Sequence, residues 1–147
     1  MGKVESTVTI ARPVEDVYRF LLALDENATD PDTESVVKEP TGPTAPGTTF
    51  RFRHKGRGGK VRETTMVFTE LEPNRRIAFS GDVGPVRPEG AFILEPVGDS
   101  TRLGVRIDRL NPVGPFKLLS PVLSLVGQRI WDGRLQRIKE ANESAAR

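Results

Sequence analysis

The stretch that decides the fold is residues 116–138, FKLLSPVLSLVGQRIWDGRLQRI. After Pro121 it contains no further proline, and its apolar residues recur at helical spacing, so it reads as one long helix near the end of the chain. Nothing upstream carries a second helical pattern of that length. A single helix must therefore cover a whole sheet, and side chains either fill the space between the two or leave it open to a ligand. The wheel of this helix is uneven. Leu118, Leu119, Val122, Leu123, Leu125 and Val126 form a wide apolar arc, whereas Trp131, Leu135 and Ile138 centre on another side, with the change near Gly127. That pattern predicts a bend, or a first half buried on more than one side.

Working back from the helix, the chain alternates in steps of two. Val4, Ser6, Val8 and Ile10 define a half-buried strand that stops before Pro13. Arg12-Pro13 then opens a short helix, with Glu15 and Asp16 in its first turn and an apolar stripe of Val14, Val17, Tyr18, Leu21 and Leu22 ending near Asp25. Residues 27–32 read as a loop before a short strand at 35–39. Pro40 to Gly47 is a turn-forming connection. Phe50, Phe52 and His54 share one face of the next strand, with Arg51, Arg53 and Lys55 on the other, and Gly56 to Gly59 closes a hairpin. Strands at 61–72, 76–81, 90–95 and 101–109 follow, joined by short turns that favour consecutive antiparallel pairing. The expected architecture is α+β: a curved antiparallel sheet of about seven strands wrapped on a long C-terminal helix, with a short helical segment after strand 1, forming a single domain over residues 1–147.

Composition narrows the function by exclusion. The 147 residues include no cysteine, which removes disulfides, thiol nucleophiles and thiolate metal sites. Hydrophobic content of 36% against charged content of 29% is the balance of a soluble globular protein, and no apolar run reaches the ~20 residues of a membrane span. The start of the chain shows no secretory signal pattern, so a cytoplasmic location is expected. The pI is about 9.2, yet basic residues exceed acidic ones by only two, 22 against 20. The densest basic group, Arg51 to Arg62, is read as the solvated face of a strand pair and not as a nucleic-acid surface. Metal-ligand spacing, a phosphate-binding glycine loop and a nucleophile elbow are all missing from the sequence, which predicts no metal and no cofactor.

Four segments resemble one known family. Val8 to Tyr18, Pro46-Gly47-Thr48, Glu70 to Ile77 and Glu95 to Leu103, in that order and closed by the long helix, are similar to the polyketide cyclase/dehydrase and lipid-transport branch of the START-like (SRPBCC) superfamily. The resemblance covers nearly the whole chain. It implies a helix-grip fold with a cavity for an apolar small molecule, and members include enzymes, carriers and ligand sensors. Similar proteins often carry a tryptophan in the loop after the first helix, where this chain has Asn27 to Asp32, so the entrance to the cavity is expected to be built differently.

Three functions follow as expectations. The first is binding of an apolar or aromatic small molecule, polyketide-like or lipid-like. The second is a cyclase or dehydratase in which His54, the only histidine, and Tyr18 handle protons. The third is a dimerising interaction protein with a collapsed cavity. The parity of the strands and the periodicity of the helix predict a lining of Phe50, Phe52, His54, Met66, Phe68, Phe79, Phe92, Leu94, Leu119, Leu123, Val126 and Trp131. Asp82, Glu89, Glu95 and Asp108 fall at strand ends and offer no catalytic carboxylate pair.

Overall fold

A computed structural model describes residues 4–27 and 31–144. The chain runs β1 (Val4–Ile10), α1 (Val14–Leu22), β2 (Thr33–Glu39), β3 (Thr49–Lys55), β4 (Val61–Glu72), β5 (Arg76–Asp82), β6 (Glu89–Val97), β7 (Ser100–Arg109) and α2 (Ser120–Ser144). All neighbours in the sheet are antiparallel, in the order β1-β7-β6-β5-β4-β3-β2. Only β1 and β7 break the sequential order. The helix-grip arrangement is therefore as the alternating pattern implies.

The inner face follows from the period of two. Val4 and Ile10 of β1, Phe50 of β3, Phe68 of β4, Ile77 and Phe79 of β5, Phe92 and Leu94 of β6, and Leu103, Val105 and Ile107 of β7 are all buried. A register shift between Phe68 and Glu70 changes the parity of β4, which returns Leu71 to the core side. Gly90 marks the tightest point of the sheet. A Cβ there would collide with the Arg106 carbonyl oxygen and the Ile107 Cα, so only glycine lets β6 and β7 approach. On the outer face, the basic strand β3 is paired with acids of β2. Arg51 reaches Glu39 at 3.0 Å and Arg53 reaches Glu34 at 4.0 Å, as a solvated face requires.

Helix α1 buries Val17, Tyr18 and Leu21 along the expected stripe and ends at Leu22, three residues before Asp25. Helix α2 starts at Ser120, with residues 114–119 forming a 3₁₀ segment instead of helix from Phe116. Pro121 explains the boundary, since its ring would clash with the carbonyl four residues earlier in a continuing α-helix. From there α2 runs unbroken to Ser144. Gly127 is where it meets β1: a side-chain carbon there would stand 3.2 Å from Val4 Cγ2.

β1 is an edge strand, and α2 covers that edge with side chains. The Glu5 N–H donates to Gln128 Oε1 at 3.3 Å, the Ser6 hydroxyl donates to Asp132, Lys139 Nζ donates to the Thr9 carbonyl at 2.8 Å, and the Ala11 N–H donates to Glu143 Oε2 at 2.8 Å. Edge groups that would otherwise invite another strand are thereby satisfied. Trp131, Leu135, Ile138 and Asn142 lie on the buried side of the same helix. Among the described residues, no helix is long and apolar enough to cross a membrane.

Candidate ligand cavity

The sheet does not close completely onto α2. Between them lies a cavity of about 460 Å³, bounded by β3 to β7, by the connection between β5 and β6, by residues on either side of the α1–β2 loop, and by one face of α2. This is within the range of roughly 300 to 1,000 Å³ usual for small-molecule sites. Its floor is aromatic. Phe79, Phe92 and Trp131 pack on one another with centroids 5.2 to 6.0 Å apart, which stiffens the wall and keeps these rings from collapsing into the space. A smaller depression of about 200 Å³, around Glu5, Thr7, Arg102 and Arg106, lies where the Arg106–Glu5 ion pair, at 3.6 Å, crosses the outer face.

Of the lining positions expected from the sequence, Phe52, His54, Met66, Phe79, Phe92, Leu123, Val126 and Trp131 border this cavity. Phe50, Phe68, Leu94 and Leu119 do not. Phe50 and Phe68 pack against each other, centroids 5.0 Å apart, in solid core further along their strands. Leu94 is core beyond Phe92, and Leu119, in the 3₁₀ segment, is 46% exposed. Parity chose the correct face but not the depth, because a cavity occupies only one end of a continuous apolar surface. Tyr18 also falls outside the lining. It is buried on the α1 stripe, and burial raises its hydroxyl above the ordinary tyrosine value.

His54 does border the cavity, although it is only 5% exposed. Its Nε2 lies 2.9 Å from Thr64 Oγ1 and its Nδ1 lies 3.2 Å from Thr33 Oγ1, with Asp32 Oδ1 3.8 Å from Nδ1. The ring stacks nearly parallel to Phe52 at 6.2 Å. β2 begins at Thr33 and not at residue 35, and this longer start brings the threonine to the imidazole. A threonine hydroxyl thus lies within hydrogen-bond distance of each ring nitrogen of His54.

Arg62, Arg134 and Arg137, none of them among the lining positions expected from the sequence, also border the cavity. Arg62 is opposite His54 in the β3–β4 register, so it shares the inner face. Its parity with Met66 was a usable signal, obscured by its place in a dense basic hairpin. Arg134 lies over the Trp131 ring, 4.7 Å from its centroid. No grouping of acidic, histidine or cysteine side chains among the described residues could hold a metal ion.

A curved antiparallel sheet gripping one long helix over a cavity is a hydrophobic ligand-binding fold. The sequence matches, over residues 1–143, the family described as polyketide cyclase / dehydrase and lipid transport, and the chain belongs to that family. A comparison with curated proteins finds no match. Among solved structures, it is similar to the Zhui aromatase/cyclase from Streptomyces sp. R1128, with 22% identity and a TM-score of 0.77 over 99% of this chain and 95% of that one. TTHA0849 from Thermus thermophilus is 20% identical with a TM-score of 0.75 over 99% of both chains. The Aha1 dimer from Colwellia psychrerythraea is 21% identical with a TM-score of 0.68 over 97% of both. At these identities the likeness is one of fold.

Proposed function

We propose that this protein binds one apolar or aromatic small molecule, polyketide-like or lipid-like, between its sheet and α2. The observation that carries the reading is the cavity of about 460 Å³ behind a rigid aromatic floor. Transfer of an apolar ring system into it removes roughly 25 cal/mol of unfavourable hydration per Å² buried. The neutral dye N-phenyl-1-naphthylamine is expected to saturate near one site per chain, and Met66→Trp, which fills the space, to abolish that binding. Binding unaffected by Met66→Trp would remove the reading. Native mass spectrometry of protein from its own host would identify a retained ligand by class.

A cyclase or dehydratase is the second reading, favoured by the convergence of His54, Thr33 and Thr64 on the cavity wall and by family membership. An extended poly-β-ketone folded in such a site needs shape and one proton-handling group to lose water and aromatise. Ring formation, followed by ultraviolet absorbance, should then stop in His54→Ala and persist in Tyr18→Phe.

A homodimer is favoured by a separate observation. Leu118 in the 3₁₀ segment and Val122 and Leu125 at the start of α2 are 89%, 54% and 70% exposed. The Aha1 neighbour of similar fold is described as a dimer, which supports this reading. With the cavity open, a collapsed-cavity interaction protein loses its premise, but this apolar strip remains to be covered by a second copy. Light scattering should give twice the chain mass, reduced to one chain mass by Leu118→Arg with Leu125→Glu; a monomeric wild type would dismiss pairing.

A further inference from the structure

One wall of the cavity carries a polar row. Thr33 of β2, His54 of β3 and Thr64 of β4 lie on neighbouring strands, and all of them border the cavity. The imidazole is 5% exposed, with Thr64 Oγ1 2.9 Å from Nε2 and Thr33 Oγ1 3.2 Å from Nδ1. Counting hydrogens fixes what this row offers. A neutral imidazole gives one N–H and accepts at its other nitrogen, so in either tautomer one threonine accepts from the ring and the other donates to it. The accepting threonine keeps its own O–H, and the donating one keeps a lone pair. The row can therefore both give and accept a hydrogen bond whichever nitrogen is protonated. The charged neighbours differ from it: the side chain of Asp32 is 50% exposed and Arg62 is exposed, so water still reaches both when the cavity fills. Elsewhere the lining is largely apolar, with Val83, Val86, Leu110, Leu123 and Ile130. A purely apolar ligand pressed on the row would strip water from the threonine hydroxyls and return nothing to them. A ligand hydroxyl, which donates and accepts, would restore what is lost.

We infer that Thr33, His54 and Thr64 set the specificity of the cavity by selecting a ligand that carries a neutral hydroxyl, alcohol or phenol, on an otherwise apolar body. This rests on the cavity-binding reading above and adds the functional group. Matched probes separate the two. Competition against N-phenyl-1-naphthylamine at about pH 8, above the ordinary imidazole range, compares 2-naphthol with 2-methylnaphthalene, in which a methyl of similar size replaces the hydroxyl. The readout is the ratio of their affinities, in which the shared apolar body cancels. Thr33→Val with His54→Phe and Thr64→Val replaces the whole row by apolar groups of similar shape and leaves no orphaned partner. It should shift the ratio about tenfold against 2-naphthol, the scale of one to two hydrogen bonds. Thr33→Ser with Thr64→Ser, which keeps both hydroxyls, should hold the ratio within about twofold of wild type. If the triple variant fails to fold, His54→Phe with Thr64→Val carries the test, with an expected shift of about threefold or more. A ratio equal in wild type and apolar variant overturns the hydroxyl inference and leaves the cavity standing. Failure of both probes to compete with the dye overturns the cavity reading as well.

Discussion

Phe50 and Phe52 stand two positions apart on β3, on the same face and in the same ladder, so replacing either by alanine changes strand propensity equally. Their surroundings differ. Phe50 is completely buried and rests on Phe68, centroids 5.0 Å apart, with no part of it at the cavity. Phe50→Ala loses the transfer energy of a whole ring and leaves a new void, for a cost of about 3 to 5 kcal/mol. Phe52 is half-buried, and one side already borders empty space. Phe52→Ala should cost only about 1 to 2 kcal/mol, because half as much area is exposed and no closed void appears. For a chain of this size, about 2 to 4 °C of melting temperature corresponds to each kcal/mol, so the Phe50 variant should melt about 10 °C lower and the Phe52 variant about 4 °C lower. Urea unfolding followed by Trp131, the only tryptophan and 6% exposed, measures both. Phe50→Leu serves if the alanine variant fails to fold. Naphthylamine affinity should fall in Phe52→Ala and stay unchanged in the Phe50 variant. Equal destabilisation by the two alanines, with dye affinity intact in both, would mean that the cavity is closed core.

Gly90→Ala should destabilise by about 3 kcal/mol in the same urea assay, because the new methyl meets backbone of β7 that cannot move aside, whereas Gly104→Ala, whose nearest neighbour is Thr7 Cγ2 at 3.4 Å, should change stability by less than about 1 kcal/mol. Tyr18 is the only tyrosine, so its absorbance at 295 nm reports one group. Burial raises its pKa, so the folded state holds that proton more tightly than the unfolded chain: the stabilisation is complete below the ordinary value of 10.0 and is lost as pH rises through the folded-state value. Tyr18→Phe should therefore remove a loss of stability above pH 10, and a titration midpoint at or below 10 would contradict its buried placement. Gln128→Ala with Asp132→Ala should speed hydrogen exchange of β1 amides, Glu5 most clearly, while leaving β5 and β6 unchanged.

The sheet was legible because every strand states its period. Val4 to Ile10 and Thr49 to Lys55 alternate without error, and the turns between β4, β5, β6 and β7 are short enough to leave only antiparallel pairing. What alternation cannot express is interruption. The register shift in β4 after Phe68 and the start of β2 at Thr33 depend on the neighbouring strand, and the second of these supplies a partner of His54. The boundary of α2 shows the same limit from another side: residues 116–119 carry helical spacing, yet Pro121 makes them 3₁₀, and Leu118 and Leu119 turn outward.

The cavity was harder to read than the face that lines it, because an apolar residue in a wall and one in a core have the same pattern. Phe50 and Phe52 are indistinguishable by parity; only the distance between the sheet and α2 separates them. On the β1 side the helix is held close by the approach of Gly127 to Val4 and by the hydrogen bonds of Gln128 with Glu5 and of Asp132 with Ser6. On the cavity side the helix presents Arg134 and Arg137 beside Trp131 and Ile138. Leu123, Val126 and Ile130 near the start of α2 and Arg134 and Arg137 at its middle border the same cavity from one helix. Of the two outcomes the uneven wheel predicts, a bend near Gly127 or a first half buried on more than one side, the second does not hold: α2 is continuous from Ser120 to Ser144, with Val122, Leu125 and Val126 exposed.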